Sequence, residues 1–289
     1  MFKAIYKFIT GVLDFVKNYF FILLFLFIVV AYFTDTKQEA LKKSNLMRVD
    51  ITGPIVESDT FLKKINEAKE DNIKGVLIYI NSPGGLVAPS IEMSLAIKRL
   101  KSLKPVVVYA GGVMASGSYY AGIWADKIVA NPGSVIGSIG VIFDGFDISG
   151  LIKKVGIKEQ VAKMGKFKEA GTIFREWSKP EKEEIDKLLK DTYDMFVTDV
   201  ARARGLKIED KDKFADAHVF SAFRAKEVGL VDEVGSIYRA KQILISESGV
   251  VEPRWKKRDK FEEYLSKLTE GALTKMTLYF GAGLRSSVR

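Results

Sequence analysis

Two short apolar runs, Val76–Ile80 (VLIYI) and Val106–Ala110 (VVVYA), each lead into a glycine-rich segment, and this pairing narrows the fold more than any other feature of the chain. Five consecutive apolar residues rich in Val and Ile, without polar alternation, describe a strand buried on both faces. Such strands belong to parallel sheets, which need helical crossovers. The flanking sequence supplies them: Phe61 to Asn72 has helical spacing, and Pro89 to Leu103 carries Ile91, Leu95, Ile97 and Leu100. Leu46–Ile51 (LMRVDI) alternates as a strand, Ser116 to Trp124 reads as a helix, and Lys127 to Ala130 as a further strand. Strand and helix in succession predict a mainly parallel α/β core. Beyond it, Ser178-Lys179-Pro180-Glu181 is a capping-box pattern with proline in the first turn. A long amphipathic helix follows, with Ile185, Leu188, Leu189, Phe196, Val197 and Val200 on one stripe. That stripe is expected to serve the core or a subunit interface rather than a ligand site.

The N-terminus points to a membrane. Tyr19 to Phe33 is an unbroken apolar run, spanning about 22 Å as a helix against a hydrocarbon core of roughly 30 Å. Lys17 can snorkel, and Tyr19 and Tyr32 suit the interfaces. A spanning helix is therefore predicted over 18–34. The residues after Ala31 offer no small-x-small cleavage site, so an uncleaved signal anchor is expected. Lysines flank the run almost equally, and the charge rule alone leaves the orientation open. The predicted organisation is a short segment 1–17, the anchor 18–34, a polar linker 35–44, a catalytic domain 45–250 and a basic tail 251–289.

Composition limits the chemistry. The chain has no cysteine and one histidine, His218, which excludes thiolate nucleophiles, disulfide frameworks and multi-histidine metal sites. Acid–base work near neutral pH falls to carboxylates, tyrosine or a perturbed lysine. A net charge of +9 is compatible with nucleic acid or an anionic lipid surface. The basic residues are not clustered with aromatics, which argues against nucleic acid.

Both glycine-rich segments, Asn81-Ser82-Pro83-Gly84-Gly85 and Gly111 to Ser118, read as turns that follow buried strands, and the carboxyl ends of parallel strands are where α/β ligand sites form. A serine opening a helix there has an exposed hydroxyl with backbone N–H donors beside it, the arrangement a nucleophile and its oxyanion hole require. Ser116 fits, with Gly85 and Gly117 as candidate donors; the same pattern also fits a simple N-cap. No GxxxxGK[ST] phosphate loop is present. A lysine base would need enclosure to lose its proton, and pattern alone singles out none.

Read in order, NSPGG, VMASGSYYAG, NPGSVIGSIGVI, MGKFKEAGT and AFRAKEVGLVDEVG resemble the bacterial signal peptide peptidase A family in its short single-domain form, over about residues 46–245. The resemblance implies a Clp-protease/crotonase-like α/β fold of stacked ββα units. It implies a Ser–Lys dyad with Ser116 as nucleophile and Lys168 as general base, Ser138 orienting the lysine, and an oxyanion hole from Gly85 and Gly117. No metal or cofactor is required. It further implies a ring of subunits at the bacterial cytoplasmic membrane, the catalytic domain on the exported side, degrading remnant signal peptides. Where the family has a second glycine this chain has Ser118, a rival hydroxyl, and Lys166 is a rival base. His218 is read as structural. A crotonase-type acyl-CoA enzyme and a catalytically silent membrane scaffold are the competing expectations.

Overall fold

The computed structural model describes residues 17–27 and 44–257. Residues 17–27 are helical and form the first part of the expected anchor; the rest of that anchor, the linker up to residue 43 and the tail beyond 257 lie outside the described residues. Among the described residues no helix is long and apolar enough to cross a membrane.

Among the described residues seven strands make one sheet: β1 (Leu46–Thr52), β2 (Gly75–Ser82), β3 (Val106–Ala115), β4 (Lys127–Ala130), β5 (Val135–Gly137), β6 (Val219–Ser221) and β7 (Glu233–Val234). The main path runs β1-β2-β3-β4-β7, with β5 branching from β3 and β6 pairing β5. Every pairing is parallel except β5 with β6, so the sheet is mixed. Besides residues 17–27, the α-helices among the described residues are α1 (Asp59–Glu67), α2 (Val87–Lys101), α3 (Gly117–Gly122), α4 (Ser149–Lys154), α5 (Lys179–Arg204), α6 (Lys211–Phe214), α7 (Ala222–Glu227) and α8 (Ile237–Ser248).

Two-residue periodicity divides the apolar strands between two cores. Val76, Ile78 and Ile80 of β2, with Val106 and Val108 of β3, pack with Ile65 of α1, Ile97 and Leu100 of α2 and Phe196 of α5. Leu77, Val107 and Tyr109 face the other way, onto Ala240 and Leu244 of α8. Cover on both faces is why these strands read as continuous apolar runs. The segment after Val250 begins against the sheet: the Asn45 N–H donates to the Arg254 carbonyl and the Lys256 N–H to the Leu46 carbonyl, each at 2.8 Å.

The second glycine-rich segment is a fork in a strand and not the turn expected from its composition. β3 continues through Gly111 and Gly112 to Ala115, pairing with β4 over 107–110 and with β5 over 113–115. The two glycines leave room for side chains of β2. A Cβ at Gly111 would lie 2.4 Å from the Tyr79 ring, and one at Gly112 would lie 2.5 Å from Asn81 Oδ1. Asn81 Oδ1 in turn accepts the Val113 N–H at 3.0 Å, holding the fork in register.

Helix α5 begins as the capping box predicts. The Ser178 N–H and hydroxyl both donate to the Glu181 carboxylate, at 2.9 and 2.8 Å, and Gly205, left-handed at φ 66°, ends the helix. Ile185, Phe196, Val197 and Val200 are buried as expected. Leu188 is exposed instead, while the adjacent Leu189 lines a cleft.

Candidate active site

The chain turns sharply between β3 and α3, and Ser116 is the corner. Its φ of 52° and ψ of −128° are unusual for a residue with a side chain, and such strain persists only where surrounding contacts fix it. Here the Ser116 N–H donates to the Gly137 carbonyl at 2.8 Å, and its own carbonyl accepts the Tyr120 N–H at 3.0 Å. The backbone of the first glycine-rich segment presses against the corner: a Cβ at Gly84 would sit 2.7 Å from the Gly117 nitrogen and 2.8 Å from Ser116 Cβ. Ser138 occupies a second strained position, φ 50°, pinned by its N–H to the His218 carbonyl at 2.7 Å.

Ser116, Ser138, Gly85 and Gly117 all line one cleft of about 680 Å³. Among the described residues neither serine hydroxyl has a hydrogen-bond partner, and neither the Gly85 nor the Gly117 N–H donates to another group. The cleft therefore offers two free hydroxyls and two free amide donors. Its walls are mostly apolar, from Val87 and Ile91 of α2, Tyr120 of α3, Ile142, and Leu189, Met195 and Phe196 of α5. The α5 stripe, expected to be core or interface, is in part a site wall; the phase of the stripe does not reveal that Leu189 and Phe196 share a cleft with the corner serine.

The rival hydroxyl is accounted for. Ser118 is fully buried; its Oγ accepts the Ala115 N–H at 2.9 Å and lies 2.7 Å from the Ser82 carbonyl, to which it donates. His218 is exposed, does not line the cleft, and serves the site through its carbonyl alone.

Lys168 is not brought to the cleft in the single chain. It lies on an arm spanning 141–177, where its N–H donates to the Gly165 carbonyl at 3.3 Å. Lys166 is on the same exposed turn, its amine 5.1 Å from the centre of the Phe167 ring. The lysine that does line the cleft is Lys190, but it is ion-paired with Asp194, and that bond raises its pKa. A lysine so held stays an ammonium and is no base. Tyr120 is likewise unsuited: burial and its 2.5 Å hydrogen bond to Asp199 push its pKa up.

The arm is apolar where a solvated loop should be polar. Ile142 and Phe146 are each 82% exposed and Met164 is 92% exposed. Its base is firm. The Trp177 indole N–H donates to the Thr172 carbonyl at 2.6 Å. Arg175 grips the buried Glu181 carboxylate at 2.9 and 2.7 Å and reaches Glu169 at 3.2 Å.

Sequence reasoning missed Ser90, Tyr193, Asp216 and Ala217, all in the cleft lining. Asp216 and Ala217 both have φ of 54°; the Ala217 N–H donates to the Ile139 carbonyl at 2.9 Å and so backs the Ser138 loop. With no glycine among them, nothing in the local pattern signals a left-handed pair.

The family model of peptidase family S49 matches residues 98–250. A protease-named relative from Methanocaldococcus jannaschii is 41% identical over 220 residues, covering 76% of this chain and 68% of its own. One from Synechocystis, also named as a protease, is 32% identical over 252 residues, covering 86% and 91%. A relative from Enterococcus faecium, named as a signal peptide peptidase, is 30% identical over 216 residues, covering 70% and 63%. Among solved structures, a mutant of ClpP1 from Listeria monocytogenes superposes with a TM-score of 0.50 at 17% identity, covering 71% of this chain and 98% of that one, a likeness of fold. With a free serine at a strained corner, two amide donors beside it and relatives of this extent, the chain belongs to peptidase family S49 and is a serine peptidase.

Proposed function

We propose that this chain is a membrane-anchored endopeptidase that degrades remnant signal peptides with a Ser–Lys dyad, Ser116 of one copy acting with Lys168 of a neighbouring copy. The observation that carries the reading is the corner itself: an unpartnered Ser116 hydroxyl in an apolar cleft with the unused Gly85 and Gly117 N–H groups. Neutral Lys168 takes the proton of Ser116 Oγ, and the oxygen attacks the scissile carbonyl. The two glycine N–H groups stabilise the oxyanion. The intermediate collapses to an acyl-enzyme as the lysine returns its proton to the leaving amine; water, deprotonated by the same amine, then releases the acid. Ser138 Oγ, free in the same cleft, orients the lysine amine.

A lysine amine in water is an ammonium and no base, and enclosure away from water is what favours the neutral form. Docking of the apolar arm on a neighbouring copy would enclose the Lys168 amine, coupling activity to assembly into a ring. The apolar cleft walls suit the hydrophobic stretch of a cleaved signal peptide, and the run from Tyr19 to Phe33 would hold the enzyme, with its catalytic domain on the exported side, beside such substrates.

The test uses the full chain in detergent and a fluorophosphonate probe. We expect labelling at Ser116, loss of peptidase activity by a factor of about a thousand or more in Ser116→Ala and Lys168→Ala, and retained activity in Lys166→Ala. Wild-type activity in Ser116→Ala would overturn the nucleophile assignment. Activity that survives Lys168→Ala but not Lys166→Ala would move the base.

A further inference from the structure

The cleft contains a third serine that neither the corner nor the proposed dyad uses. Ser90, in the first turns of α2, lines the cleft beside Gly85, Ser116 and Gly117, yet is only 2% exposed. Its Oγ occupies the space where a side chain on Gly117 would be: a Cβ built there lies 2.3 Å from Ser90 Oγ and 3.4 Å from the Gly85 nitrogen. The hydroxyl thus abuts the same pocket of space as the two free amide donors. In the resting state it donates to the Leu86 carbonyl at 2.8 Å, the ordinary back-bond of a helical serine.

That carbonyl does not depend on the hydroxyl, because the Ser90 backbone N–H also donates to it, at 3.3 Å. Rotation about Cβ–Oγ would therefore free the O–H without orphaning a buried acceptor, so the usual penalty for breaking a buried hydrogen bond is largely absent. A hydroxyl that swings at little cost, in a water-poor wall beside two fixed N–H groups, is suited to meet charge that exists only during reaction.

We propose that Ser90 is a catalytic residue of this peptidase, its Oγ–H turning from the Leu86 carbonyl to become a third donor to the oxyanion held by Gly85 and Gly117. No covalent bond is made or broken by Ser90. The inference rests on Ser116 being the nucleophile.

Alanine at position 90 keeps the small size that close packing against Gly117 demands and removes only the hydroxyl. Full-length Ser90→Ala in detergent should keep its melting temperature and its KM for a peptide substrate. Its kcat should fall about tenfold to a hundredfold, at or below the loss seen for a principal oxyanion donor. A peptide aldehyde, whose Ser116 adduct carries the oxyanion, should bind more weakly by the same factor. An unchanged kcat would overturn the proposal. So would a fall in kcat that aldehyde affinity does not follow, since that would mark disturbed packing. Fluorophosphonate labelling separates this from the reading beneath it. If the wild type is labelled at Ser116 and Ser90→Ala keeps its kcat, Ser90 alone is excluded; if the wild type is not labelled at Ser116, both readings fall.

Discussion

Ser116 and Ser118 stand two residues apart in a single motif, and their environments separate them completely. Ser116 is held at positive φ at the cleft with its hydroxyl unpartnered. Ser118 is buried, its hydroxyl tying the end of β3 to the end of β2. The sequence shows two hydroxyls of equal chemistry. What distinguishes them is the Ser82 carbonyl, 36 residues away, and no local pattern reports that. Ser118→Ala should therefore act on stability and not on the nucleophile. It removes a buried donor and leaves the Ala115 N–H and the Ser82 carbonyl short of a partner, at a cost of about 1–3 kcal/mol. Denaturant unfolding should show that loss, while mass analysis of the fluorophosphonate adduct should still find the label on Ser116; a label moved to residue 118 in the wild type would reverse the assignment.

Elements were legible in proportion to how local their causes are. The start of α5 was readable because a capping box is a four-residue signal, and Glu181 closes it as expected. Its second role was not readable: the same carboxylate takes the Arg175 guanidinium from the base of the arm, a partnership set by tertiary folding. The fork in β3 was misread for the same reason, since its glycines answer to Tyr79 and Asn81 of a neighbouring strand. The Arg175 bonds, and those from Ser178, hold the Glu181 carboxyl well below the ordinary glutamate value of 4.5. A carboxyl depressed in the folded state contributes stability that is fully present above its unfolded pKa and is lost as pH falls through the folded one. Glu181→Gln should accordingly melt below the wild type at pH 7, with the gap closing as the pH is lowered past 4.5. Melting curves of both proteins from pH 7 to strong acid provide the check, and a gap that stays constant would show that the carboxylate's charge contributes nothing.

At the scale of the whole molecule, the sheet brings four of the five expected site residues into one cleft and leaves the fifth, Lys168, on an apolar arm away from it. Converging strand ends of one sheet make Ser116, Gly85 and Gly117 legible, and the family resemblance adds Ser138; neither carries information on whether an arm folds back on its own chain or onto another. The exposed Ile142, Phe146 and Met164 favour another, since apolar surface of this kind marks a place of association. A head-to-tail contact that repeats generates a ring where its rotation closes, and in the ring proposed above each site joins two copies. This geometry has a consequence that activity in cis cannot imitate. Ser116→Ala and Lys168→Ala chains, each inactive alone, are co-expressed with different tags and purified through both, so that only mixed assemblies remain. A site regains both groups wherever a Lys168→Ala copy supplies Ser116 and its Ser116→Ala neighbour supplies Lys168. For random placement in a heterologous ring that is about one site in four, so roughly a quarter of wild-type peptidase activity should return. Mixed assemblies as inactive as their parents would instead mean that the arm folds back to serve its own chain.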